Sequence, residues 1–237
     1  MKDIIWNEQS ISRLWKYYSE GDKRTYFAWH SGESLIRFLL KNGIQFNNME
    51  ILDFGCGNGY MYEWIMKLCK NFSYTGADTT LDSINYMREH YGKDIRTLHI
   101  DSLPLSCEEE AFDIVLVTEV IEHVDDTILK EDMQEWMRLL KRGGKLVITT
   151  PNDEDMNKSM IYCPNCDCQF HRWQHVRKWT SRSLEQYVRE MGYKVVFCKE
   201  TMLYSKNKKR LKHLGGMIRR KLSLAEWPNL IMVCEKQ

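Results

Sequence analysis

Between residues 163 and 175 the chain reads CPNCDCQFHRWQH, three cysteines and two histidines in one short run. Thiolate and imidazole are the usual protein ligands of zinc, and Cys163-x-x-Cys166 has the spacing of a zinc knuckle. His171 and His175 are four residues apart, so a helix would carry them on one face. The gap after Cys166 is too short for a ββα finger. Three readings of the run remain. One is a structural zinc held by Cys163, Cys166 and one or both histidines, with Cys168 as a further candidate. In the second the cysteines stabilise a loop while His171 or His175 points into an active site. The third is a metal-free substrate lid with reduced thiols. The run's place after an apolar fifth strand favours the second, because there it would fold over an acceptor pocket.

Two other stretches carry chemistry. ILDFGCGNGY, residues 51–60, joins an apolar run to a helical one through Gly55, Gly57 and Gly59. Closely spaced glycines permit a tight turn and let a ligand approach the backbone, and the helix start behind them offers unpaired N–H groups. The third glycine of a dinucleotide fingerprint is replaced by Tyr60, and the Gly-Lys-Ser/Thr of a phosphate loop is missing. Further on, Thr118-Glu-Val-Ile-Glu-His-Val124 places Glu119, Glu122 and His123 together. They can activate an acceptor, with Glu122 and His123 as catalytic candidates. Alternatively, Glu119 contacts cofactor or loop backbone and His123 packs or caps.

The elements that must position these groups follow from periodicity. Apolar runs at 49–54, 72–78, 95–100, 112–118 and 145–150 read as strands, with helical spacing at 60–70, 81–91 and 126–141 between them. Gly143-Gly144 reads as a helix C-cap. This alternation implies right-handed crossovers and a largely parallel sheet. Residues 8–42 read as helical with a break at Ser31-Gly32, 181–191 as a helix capped by Thr180 or Ser181, and 194–198 and 230–234 as the last two strands. In such sheets ligands bind beyond the carboxyl ends of the strands, where both the glycine loop and Glu119–His123 fall.

The motif Asp53-x-Gly55-x-Gly57-x-Gly59 resembles motif I of the class I S-adenosylmethionine-dependent methyltransferases. The resemblance covers roughly residues 35–150 and recurs in the final strands. It implies a Rossmann-like, doubly wound α/β fold, a mostly parallel seven-stranded sheet with the last strand antiparallel; the residue pattern adds N-terminal helices and a Cys/His-rich insertion after strand five. It also implies that Asp78 accepts the ribose hydroxyls and that Asp101, Ser102 and Leu103 contact the adenine. With Asp53, Gly55, Cys56, Gly57, Gly59, Tyr60, Thr79, Glu119 and Tyr26 these make the expected cofactor set. One domain over 1–237 is expected, with a helical cap at 1–45, a cofactor-binding core at 46–150, the insertion at 151–180, and a C-terminal part at 181–237 that has a basic segment at 205–222.

Glu119-x-x-Glu122-His123, then Thr150-Pro-Asn152, then His175 followed by Trp179-Thr180, is similar to the RNA 3′-terminal ribose 2′-O-methyltransferases. That likeness implies a divalent cation on Glu119, Glu122, His123 and His175, with His171 as a further candidate; Zn, Mn, Mg or Fe would suit mixed carboxylate–imidazole ligation. Cys163-Pro-Asn-Cys166 and the phrase FHRWQHVR depart from that family. They look like a group of bacterial methyltransferases with a CPxC…FHRWQHVR segment. The expected activity is O-methylation of a small-molecule or glycan-type acceptor, phosphorylated ones included, with RNA 3′-end methylation and a non-catalytic cofactor-binding protein as alternatives.

The chain's 237 residues, 43% hydrophobic and 12% aromatic, support a sizeable core. Net charge is +1, so nucleic-acid binding would need a local patch. The basic residues 206–221 supply one candidate, for RNA, a phosphorylated substrate or an anionic membrane surface. No apolar run is long enough for stable membrane insertion. The polar start and eight cysteines without a secretory signal lead to an expectation of the cytoplasm and reduced thiols.

Overall fold

The structure is a computed structural model that describes residues 2–92, 95–203 and 228–237. The basic segment expected at 205–222 lies outside them. Seven strands form the main sheet: β2 (Glu50–Phe54), β3 (Ser73–Asp78), β4 (Arg96–His99), β5 (Phe112–Thr118), β6 (Leu140–Pro151), β9 (Lys194–Thr201) and β10 (Asn229–Glu235). Their order is β4-β3-β2-β5-β6-β10-β9. Strands β2 to β6 pair in parallel, whereas β10 runs antiparallel to both neighbours. The expected fold class is therefore present, with the antiparallel last strand inserted inside the sheet.

The central strands are apolar on both sides because helices cover both faces. Leu52, Val115 and Val117 pack with Trp136 of α5 (Asp126–Leu139) and Leu184 of α6 (Ser181–Glu190). Ile51, Ile114 and Leu116 alternate to the other face. There they meet Leu35 of α2 (Phe27–Lys41), Ile65 of α3 (Tyr60–Leu68) and Met87 of α4 (Leu81–Tyr91). The strand order reverses between β2 and β5, which opens a crevice at their carboxyl ends. The glycine loop leaves β2 and the Glu119–His123 loop leaves β5, so both chemical motifs flank that crevice.

Three local expectations change. The N-terminal helical region breaks at 20–26, not at Ser31-Gly32, giving α1 (Glu8–Ser19) and then α2. Gly32 sits buried inside α2, because a Cβ there would lie 2.5 Å from Trp64 Cδ1; the glycine marks close helix packing. Gly143-Gly144 lies within an early start of β6, where Gly143 N–H and Gly144 C=O bond to Lys236. Finally, the segment after β6 is partly a hairpin, β7 (Met160–Cys163) and β8 (Cys168–His171). The chain start, β1 (Lys2–Asp3), adds to it in parallel, forming a second sheet of order β1-β8-β7.

Packing at Gly32 gives a direct check. Gly32→Val should lower unfolding free energy by about 1–3 kcal/mol through overpacking against Trp64. A urea titration should show a lower midpoint with an unchanged slope.

Candidate active site

The glycine loop is held from two sides. Gly55 has φ 77° and Gly57 φ 51°, conformations that favour glycine. A Cβ on Gly55 would lie 2.5 Å from Val120 Cγ2, so the β2 and β5 loops touch. A Cβ on Gly57 would come within 3.0 Å of the Tyr26 ring. Asp78 braces the turn: its carboxylate accepts from the N–H groups of Gly57 and Thr80, each at 2.8 Å. Each oxygen retains lone-pair capacity for a ligand hydroxyl.

Asp53 is buried beneath the loop. One carboxylate oxygen accepts from the Tyr74 hydroxyl at 2.5 Å, while Oδ1 has no hydrogen-bond partner. Burial, with Asp78 adding in the same direction and Tyr74 opposing, pushes Asp53 up to about 7. Burial likewise raises Asp78 against the pull of its two backbone bonds. Cys56 is buried, its thiol 3.3 Å from Met87 Sδ, and Tyr60 meets Tyr26 edge-on at 5.3 Å. Gly59 lies against Tyr91 and Met87. The Thr79 carbonyl accepts from His99 Nε2 at 3.0 Å. Asp101 and Ser102 are exposed in the loop after β4, and Leu103 packs on the core edge.

Beyond β5 the chain buries carboxylates and imidazoles together. Glu119 takes φ 54°, and its Oε1 accepts from the Thr149 hydroxyl at 2.8 Å. Thr150 donates to Glu122 Oε2 at 3.0 Å, but Glu122 Oε1 is buried with no hydrogen-bond partner. That oxygen is 3.9 Å from His123 Nε2, too far for a hydrogen bond. The His123 and His175 rings are 4.8 Å apart, and His171 stacks on His175 at 4.4 Å. Glu154 contacts both of the latter: His175 Nδ1 through one oxygen, and His171 Nε2 at 3.4 Å through the other. Ligand atoms of Glu122, His123 and His175 lie within 4.8 Å of one another, as do those of Glu154, His171 and His175.

The electrostatics follow from this crowding. Burial lifts Glu119 to about 7, with Glu154 adding and Thr149 opposing. Glu122 is raised well above the ordinary range by burial and then by Glu119. Burial, reinforced by His175, drives His123 down to about 3. Burial also pushes Glu154 upward, but the bonds and charges of His175 and His171 outweigh it and hold that carboxyl below its usual value.

The cover comes from α1 and the insertion. Trp15 meets His123 edge-on at 4.9 Å and donates its indole N–H to Gln174 Oε1 at 3.1 Å. Gln174 donates in turn to the His123 carbonyl at 2.9 Å. Glu154 and Gln174 do not stand out in the sequence, and Trp15 reads there as one of the N-terminal aromatics that cap the cofactor pocket or pack in the core. Glu154 had a signal: it lies in the acidic run Asp153-Glu154-Asp155 just past the carboxyl end of β6. Gln174 had none beyond residue type.

The cysteines stand apart. Cys163 and Cys168 are register partners across β7 and β8, and Cys166 is exposed in the turn. N–H groups of Cys166 and Asn165 hold the Cys163 thiol below its usual range. Among the described residues no metal-capable group of three includes a cysteine. Among the described residues Cys163 and Cys166 do not meet His171 or His175, both of which contact Glu154 instead. Nor do the two histidines share a helix: His171 ends β8 and the chain turns back irregularly to His175.

A family model described as a methyltransferase domain matches residues 25–197, more than half of the chain. The chain belongs to the class I S-adenosylmethionine-dependent methyltransferase superfamily. It is 30% identical to the mitochondrial ubiquinone biosynthesis O-methyltransferase of Bos taurus over 164 residues, which are 65% of this chain and 42% of that protein. The chain thus spans under half of that relative's length. Its fold matches the Burkholderia thailandensis 1,6-didemethyltoxoflavin-N1-methyltransferase, solved with S-adenosylhomocysteine, with TM-score 0.64, 14% identity, and 100% and 93% of the two chains covered. It also matches a chain of the complex between the Haloferax volcanii Trm112 methyltransferase activator and its methyltransferase, with TM-score 0.67, 16% identity, and 98% and 99% covered.

The unpartnered oxygen of Asp53 suits a cationic donor, which would favour the ionised carboxylate. An acid raised in the folded state holds its proton longer there than when unfolded. The ligand-free protein therefore loses stability as pH rises from the ordinary value of 3.8 toward about 7. S-adenosylmethionine binding should release a proton in that window and tighten with rising pH, by up to about tenfold per unit, levelling off above 7. Calorimetry in buffers of different ionisation heat reads this directly, and Asp53→Asn should flatten the profile.

Proposed function

We propose that this methyltransferase moves the methyl group of S-adenosylmethionine to a hydroxyl oxygen of a small-molecule or glycan-type acceptor, with a divalent cation held at Glu122, His123 and His175 beside Glu119. One observation carries the reading: a buried Glu122 oxygen with no hydrogen-bond partner faces two imidazoles, in a loop that touches the glycine turn. A buried carboxylate oxygen without a partner is costly, and a cation is the group that compensates it. The donor set of carboxylate and imidazole suits manganese, iron or zinc, and magnesium through its carboxylates. A cation bound there would lower the pKa of an acceptor hydroxyl.

The chain's own residues do the remainder. Asp53 and Asp78 bind and orient the donor, with Tyr26 closing over the turn. Trp15, Gln174 and the insertion exclude water above His123. Transfer then forms the oxygen–carbon bond as the carbon–sulfur bond breaks; the sulfonium leaves as a neutral thioether and the hydroxyl proton departs. Alignment supplies much of the acceleration. Likeness to ubiquinone biosynthesis O-methyltransferases supports oxygen as the acceptor atom. We read residues 1–237 as one domain. No helix among the described residues is long and apolar enough to cross a membrane, and a cytoplasmic site of action belongs to the same reading.

Metal-stripped protein should lose transfer to hydroxyl acceptors and regain it with added manganese or magnesium. Glu122→Ala or His123→Ala should cut kcat by on the order of 100-fold while leaving S-adenosylhomocysteine affinity little changed. Transfer assays across sugars, sugar phosphates and phenols identify the acceptor. Transfer only to RNA, abolished by periodate oxidation of its 3′ ribose, would replace this reading with the RNA-end one. Donor binding with no turnover on any acceptor would leave a non-catalytic protein.

A further inference from the structure

We infer that Glu154 is a positioning residue: its carboxylate accepts the ring proton of His175 Nδ1, with His171 Nε2 in contact at 3.4 Å, and so fixes His175 with its Nε2 lone pair free for the Glu122–His123 centre. The inference rests on the cation reading above and assigns different work to the two histidines.

The argument begins with His171. Its Nδ1 accepts the backbone N–H of His175 at 3.1 Å. A neutral imidazole has one donor and one acceptor nitrogen, so the His171 proton sits on Nε2. That Nε2 lies 3.4 Å from Glu154 Oε1, an ion-pair contact without a hydrogen bond, on a side chain only 3% exposed. The other Glu154 oxygen meets His175 Nδ1. An ionised carboxylate only accepts, so Nδ1 of His175 carries the proton and Nε2 does not. The two rings stack with an interplanar angle of 23°, which sets the plane of His175 as well as its tautomer. A carboxylate holding the far nitrogen of a ligating histidine is a recurrent arrangement around metals.

The same accounting removes His171 from the ligand set. Ligation through Nε2 would require its proton to move to Nδ1, which already faces a backbone N–H. Glu154 is itself anchored. The Asp153 N–H donates to the Trp179 carbonyl at 2.7 Å, Lys178 pairs with Asp153 at 2.8 Å, and Asn152 bridges to Trp179. The carboxylate is therefore presented from a braced strand end.

Nitrogen-15 NMR of the histidine rings in the full chain reads the tautomers. Wild type should show Nε2–H for His171 and Nδ1–H for His175. Glu154→Gln offers one acceptor oxygen in place of two. It should mix the His175 tautomers and weaken manganese binding, measured by calorimetry, by about 10–100-fold. Glu154→Asp should restore part of the affinity, and S-adenosylhomocysteine binding, unchanged in both, reports intact folding. Unaltered tautomers and manganese affinity in Glu154→Gln would overturn the inference. So would loss of the His171 Nε2 proton when manganese binds wild type, since that makes His171 and Glu154 direct ligands. If wild type binds no cation but transfers methyl groups, the function reading fails, and the tautomers still report on the clamp by themselves.

Discussion

The cost of burying acids and imidazoles side by side at the carboxyl ends of β5 and β6 governs this molecule. Glu122 lies out of water with Glu119 and His123 half-buried beside it, and like charges there repel strongly. The surroundings compensate them one bond at a time. Thr149 and Thr150, adjacent on β6, each donate a hydroxyl to a different glutamate. They can do so because β5 and β6 pair in parallel with Thr118 opposite Thr149. A slip of one residue would turn each hydroxyl to the opposite face of the sheet.

The same pocket explains why the chain's two least regular parts fold together. β1 pairs with β8, Tyr18 donates to the Arg172 carbonyl at 2.8 Å, and Trp15 reaches Gln174. On its other side α1 reaches α4 through Lys16 and Asp82, 3.0 Å apart. An exposed pair of that kind contributes little stability. The aromatic and amide contacts hold the cap in place. Helix α1 thus joins α4 to the cover over His123.

Fold likeness and site likeness separate here. Structures sharing 14% or 16% identity have the same sheet, which testifies to the sheet alone. What distinguishes this chain is how its insertion divides labour: the cysteines face one another at the hairpin tip while the histidines turn inward to Glu154. In the linear run CPNCDCQFHRWQH they look like one ligand set, because spacing along a chain does not say which face each side chain takes. In a hairpin, alternation and the exit from the last strand decide that.

The sequence by itself determined the strands, the glycine turn and the neighbourhood of Asp53, Asp78 and Glu119–His123. These depend on local periodicity and on backbone conformations that few residues tolerate, both readable within a short window. The tertiary structure decided the rest. It put the helical break at 20–26, placed Gly32 against Trp64, and brought Trp15, Glu154 and Gln174 around His123. Those contacts join residues far apart in the chain. They form only because a buried polar group must find a partner wherever the folded chain supplies one.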